Sequence, residues 1–198
     1  MKTQKLNVKD LIQVGIFAAI LLVVKTVVGF IGVVPILCAI LPAITALVCA
    51  PVYCVFLTRV RKFGMITILA SVLGLLFSFA GYRWEAFVGS FVSGLLADLV
   101  SKSGHYVKKT SLSLGYGLFS LWGISLFLII WVSGDAYFAD LTTSMGAEFA
   151  EAFQKLVPVW SVLWIGILTF LCGIIGMTYG MKIAKKHFNK NGETDEWN

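Results

Sequence analysis

Few of the 198 residues carry groups that do chemistry in an apolar setting. Lys25 is the one lysine inside a long apolar run, and Asp98 is the one acid inside such a run. An ionisable side chain at membrane depth is costly, so it normally faces the protein interior, water or the lipid headgroups. At about 1.5 Å per residue, Lys25 stands some 21 Å beyond Leu11, in the outer half of a hydrocarbon layer about 30 Å thick. There it either lines a site or snorkels to the outer headgroups on its long stem. Asp98, one turn from the end of its run, is expected to reach the interface or a neighbouring lysine. The two histidines, His105 and His187, fall in lysine-rich segments. Cys38, Cys49, Cys54 and Cys172 all lie in apolar runs without CxxC or Cys/His spacing, so they read as packing residues, with no metal centre and no disulfide framework. No HExxH, GxSxG or P-loop glycine pattern occurs, so no catalytic residue is assigned, no cofactor is expected and the chain does not read as an enzyme.

These residues are positioned by membrane helices. With 59% hydrophobic residues, 13% charged and a mean hydropathy of +0.90, the chain is far more apolar than a soluble domain, in which charged residues make up about a quarter. The expectation is an all-α integral membrane protein, a single membrane domain with six spans at about 10–30, 34–57, 63–80, 86–100, 111–132 and 157–181. Gly29, Gly32 and Pro35 separate the first two spans, and Pro42 and Pro51 are placed to kink the second. Gly15 and Ala19 form a small-residue face on the first span, and Gly89 to Gly94 another on the fourth; such faces let helices approach closely in lipid. The long connection 133–156 repeats Met145, Phe149, Phe153 and Leu156 at helical spacing, with Glu148, Glu151 and Lys155 between them. It reads as an amphipathic helix on the outer surface, or more sharply as a lid over an outward-facing cavity.

Charge gives the orientation. Of 16 lysines and arginines, 13 fall in the segments 1–10, 58–64, 101–110 and 182–198, whereas only Arg83 and Lys155 fall on the opposite side. The positive-inside rule therefore puts both termini in the cytoplasm of a multi-pass plasma-membrane protein. Residues 1–10 lack a cleavage pattern and read as a cytoplasmic lead. The net charge of +6 sits in short runs between spans, so it implies contact with membrane lipid and no nucleic-acid partner.

The segments Leu6-Asn-Val-Lys-Asp-Leu11, Arg61-Lys-Phe-Gly64, Gly81-Tyr-Arg-Trp84, Gly94-Leu-Leu-Ala-Asp98, Ser120-Leu-Trp122 and Lys186-His-Phe-Asn-Lys190, in this order, resemble the Trep_Strep or MptD-like family of energy-coupling factor (ECF) transporter S components. The resemblance covers nearly the whole chain. It implies an S-component-like bundle that captures a micronutrient outside the cell and delivers it by toppling against a transmembrane coupling subunit driven by two cytoplasmic ATPases. It also implies docking through small residues of the first helix, here Gly15, Ala18 and Ala19, where a stricter pattern has two alanines. The family's ligand position, near the outer helix ends, points here to Lys25, Tyr82, Arg83, Trp84, Glu85, Trp122, Trp131, Asp135, Tyr137 and Trp160. Such a set suits a flat small molecule bearing an anionic group, because rings stack while a lysine or arginine pairs with the acid. A vitamin or its precursor is the first expectation and a tetrapyrrole such as haem the second, although no histidine lies on the outer side to hold iron. A lone six-helix facilitator or a structural partner of another membrane complex is the alternative of a different class.

Overall fold

The computed structural model describes residues 7–80, 84–158 and 160–188, a few of them inside helices by their backbone alone. All regular structure among the described residues is helical: α1 (Val8–Gly29), α2 (Pro35–Arg59), α3 (Met65–Phe79), α4 (Glu85–Ser103), α5 (Lys109–Ser120), α6 (Ser125–Met145), α7 (Ala147–Leu156) and α8 (Ser161–Phe188), with 3-10 turns at 30–33 and 121–124. Among these, α1 with its following turn, α2, α4 and α8 are long and apolar enough to cross a membrane, and α3 is a shorter apolar helix.

Local signals set the helix ends. Asn7 caps α1 by accepting from Val8 N at 2.9 Å, while Asp10 accepts from Asn7 N at 2.9 Å, so two otherwise unpaired donors are satisfied reciprocally. The same Asp10 carboxylate receives the Lys62 ammonium at 2.6 Å and so ties the start of α1 to the α2–α3 connection. Pro35 opens α2 where a missing N–H costs nothing. The α6–α7 corner depends on Gly146, whose φ of 91° and ψ of 158° belong to a region that side chains other than glycine's scarcely enter.

Close packing follows small residues. A Cβ on Gly176 would stand 3.1 Å from Ala46 O, and one on Gly180 would stand 3.1 Å from Ala50 O, so α8 lies directly on the α2 backbone. By contrast α1 keeps Leu11, Ile12, Ile16, Val23 and Val27 exposed, as a lipid-facing helix requires. The buried side chains form two clusters. The larger, around Tyr53, Phe56, Leu69, Tyr116 and Phe119, binds α1 to α5 and α8. The smaller, around Ala39, Ile124, Phe127, Phe153 and Ile165, lies between the start of α2, the start of α6, α7 and the start of α8.

Three expectations need correction. The run 111–132 is not one uninterrupted helix: α5 ends at Ser120, a 3-10 turn occupies 121–124, and α6 continues to Met145. Stacked end to end these pieces would reach about 57 Å against a hydrocarbon layer of about 30 Å, so the column must emerge from the bilayer or turn at the break. The apolar stripe at 145–156 is also displaced. Phe149, Ala150 and Phe153 point inward, Val157 follows them, and Met145 and Leu156 are exposed. Ala150 and Val157 complete the inward face because the Gly146 corner restarts the helix at Ala147 and separates Met145 from it.

Asp98 does not reach an interface or a lysine. It is fully buried, and its carboxylate accepts from Gly64 N at 2.7 Å, Thr67 N at 3.3 Å, Thr67 Oγ1 at 3.1 Å and the Tyr106 hydroxyl at 2.5 Å. It thus serves as the N-terminal cap of α3 from a different helix, where an anion meets free N–H groups and the positive end of the helix dipole. The turn after α4 is shaped to bring Tyr106 there: His105 and Tyr106 both adopt left-handed φ, 53° and 58°.

Candidate ligand-binding site

Lys25 lies one turn before the end of α1, and its neighbours on the surrounding helices are aromatic and small. From α2 come Pro42, Thr45, Ala46 and Cys49; from α5 come Tyr116, Phe119 and Ser120; the 3-10 turn adds Trp122 and Gly123. Each part has a local cause. Pro42 cannot donate to the Cys38 carbonyl and so loosens α2 at this level, while the Thr45 hydroxyl bonds the Leu41 carbonyl. A Cβ on Gly123 would lie 3.5 Å from Pro42 Cβ, so the 3-10 turn passes close against the proline. The Tyr116 hydroxyl donates to Ala46 O at 2.7 Å and locks its ring into the wall.

The Lys25 ammonium sits 3.5 Å from the centroid of the Trp122 ring. Phe77 of α3 packs edge-on against the same indole, with centroids 5.3 Å apart. No acid and no hydrogen-bond acceptor for the ammonium is found among the described residues. A cation over an indole face is worth about 0.5–2 kcal/mol, whereas withdrawing an ammonium from water costs several kcal/mol even after relaxation. The ring therefore holds the lysine without compensating its charge. The space left free between these residues is about 10 Å³, room for roughly one water. An organic ligand fits only if a side chain moves.

Of the outer residues expected to share a site, the structure brings Lys25 and Trp122 together. Trp84 and Trp160 are each 67% exposed and point away, as anchors at a membrane interface do. Asp135 is exposed on α6, and Tyr137 packs edge-on against Phe138 in the cluster beneath α7. Tyr82 and Arg83 lie outside the described residues, as do the side chains of Glu85 and Trp131. Sequence reasoning missed Thr45, Tyr116, Phe119 and Ser120; Pro42, read there as a kink, was the available signal that α2 is irregular beside the lysine. Among the described residues no group of three or more His, Cys, Asp or Glu side chains is arranged to hold a metal.

On α1, Gly15 and Ala19 are exposed, and a Cβ built on Gly15 would meet nothing within 4 Å. Ala18 is 1% exposed and packs inward, which removes it from any outward small face. The helical period explains the split, since residues four apart share a face and adjacent ones do not.

Comparison with curated proteins and with solved structures returns no match. A family model described as hypothetical bacterial integral membrane protein (Trep_Strep) matches residues 8–190, from the first helix through the last. The chain belongs to this Trep_Strep family of bacterial integral membrane proteins.

Proposed function

We propose that the chain is the substrate-capture subunit, the S component, of an energy-coupling factor importer. It spans the membrane six times with both termini in the cytoplasm, takes up a small micronutrient such as a vitamin or its precursor from outside, and passes it inward on a transmembrane coupling subunit driven by two separate ATPases. The observation that carries this reading is Lys25, a membrane-depth ammonium lodged on Trp122 near the end of α1 with no acidic partner among the described residues. A purely structural lysine would snorkel to the headgroups, and this one turns inward onto a ring. The exposed Gly15 and Ala19 support the docking half of the proposal, because they leave a small-residue face that no part of the described chain covers.

The test is coexpression with coupling and ATPase subunits. Replacing both Gly15 and Ala19 by leucine is expected to abolish copurification and uptake while the thermal midpoint of the isolated protein stays within about 2 °C of wild type, since neither position is packed. A double variant that copurifies normally refutes the docking face. Failure of the wild type itself to copurify with any coupling subunit refutes the importer reading.

A further inference from the structure

We infer that the Lys25 cavity takes a singly charged aromatic acid, one ring bearing one ionised carboxylate, and that this ligand binds by replacing the ammonium on the Trp122 face. The inference rests on the capture reading above and narrows it to a ligand class.

Charge is the first constraint. Lys25 is the one charged residue among the described residues lining the cavity. A carboxylate brought to it would form a charge-assisted pair in a water-poor setting, where one ammonium and one carboxylate cancel. A neutral ligand would leave the ammonium uncompensated. A dianion would carry a second charge into a wall that offers only hydroxyls, a thiol and rings, and an unpaired charge away from water is strongly unfavourable.

Shape is the second constraint. Tyr116, Phe119 and Trp122 supply the flat surfaces, and the best of them, the indole face, is occupied by the lysine head at 3.5 Å. With about 10 Å³ free, something must leave before a ring can stack. Lys25 is the wall residue best suited to leave, because its stem is long, it donates no hydrogen bond to any described residue and its hold on the ring is weak. Tyr116, in contrast, is pinned to Ala46 O. Thr45 and Ser120 are engaged with backbone carbonyls through their hydroxyl protons but keep oxygen lone pairs, which suits a ring heteroatom that donates. Lys25 would therefore exchange a ring contact for an ion pair while the ligand takes over the indole.

Three matched probes decide the point: benzoate, its neutral amide benzamide, and the dianion phthalate, each at millimolar concentration with purified protein in detergent. Thermal unfolding is followed for wild type, Lys25→Met, Lys25→Arg and Trp122→Phe. Benzoate is expected to raise the wild-type midpoint by at least about 2 °C, and the two other probes to leave it unmoved. The benzoate shift should vanish in Lys25→Met, persist in Lys25→Arg and shrink in Trp122→Phe, which keeps a smaller ring in the wall. The inference is overturned if benzamide or phthalate stabilises as strongly as benzoate, if Lys25→Met responds like wild type, or if no probe moves the wild type. The last result, obtained with a protein that still copurifies with a coupling subunit, removes the ligand class and leaves the importer reading in place. The reverse pattern, a benzoate response without any partner, removes the importer reading alone.

Discussion

Removing the Asp98 carboxylate should open the knot that joins α3, α4 and the turn after α4. In Asp98→Ala four hydrogen bonds disappear at once, from Gly64 N, Thr67 N, Thr67 Oγ1 and the Tyr106 hydroxyl. Hydrogen bonds to a charged acceptor contribute about 1.5–3 kcal/mol each, but such values do not add within one network. Gly64 and Thr67 are only partly buried and recover some hydration, while Tyr106 is 6% exposed and cannot. A loss of about 3–5 kcal/mol is therefore expected, most of it from the stranded Tyr106 hydroxyl and the uncapped α3. Tyr106→Phe removes a single donor and should cost about 1–3 kcal/mol. In the double variant the second change should cost almost nothing, because its partner is already gone. The assay is a double-mutant cycle on unfolding free energy in detergent. Additive single losses, or an Asp98→Ala variant within about 1 kcal/mol of wild type, would refute the capping role. The knot also has a pH signature. Burial first, and then the hydrogen bond to Asp98, push the Tyr106 phenol well above its usual value. A group whose folded-state pKa is raised stabilises fully below its unfolded value, about 10 for tyrosine, and loses that contribution as pH rises above it. Stability should therefore fall above about pH 10, and less steeply in Tyr106→Phe.

Three further outcomes follow from the packing and the charge map. With single cysteines in a cysteine-free background, an impermeant reagent applied to intact cells should label Thr142→Cys and not Ser103→Cys, and the opposite pattern would invert the proposed topology. Gly180→Val should destabilise by about 1–3 kcal/mol, because its side chain would meet the α2 backbone at Ala50 and Pro51, and unchanged unfolding would show that α8 is held less closely than described. Gly146→Val should cost about 1–3 kcal/mol by forcing a branched residue into the α6–α7 corner, and protease cleavage near that corner should increase; a fully stable, uncleaved variant would argue against the corner.

How much was legible in sequence depended on whether the cause was local. The first span, read as about 10–30, appears as Val8–Gly29, and Pro35 opens α2 where the Gly and Pro residues interrupt the apolar run. Hydropathy and breakers suffice there because each signal acts on its own segment. The break at 121–124 was not legible, since the apolar run continues through Leu121, Trp122 and Ile124 and the turn packs beside Pro42 of another helix. The same limit governs the site. Lys25 and Trp122 each stood out by residue type, but only the packing of α1 against the 3-10 turn puts one on the other, and exposed Trp84 and Trp160 had the same outward credentials in the sequence. Asp98 stands out by its depth, yet Gly64 and Thr67 lie 34 and 31 residues before it, and Tyr106 reaches it only through the left-handed turn at 105–106.

Capture of a small molecule through Lys25 is the central proposal. Native mass spectrometry of protein released gently from bacterial membranes, run in parallel on wild type and Lys25→Met, tests that most directly. The expected result is a one-to-one complex of wild type with a low-mass aromatic acid, absent from a folded Lys25→Met. Wild type free of any small molecule after growth in nutrient-rich medium, or a ligand retained equally by Lys25→Met, would contradict it.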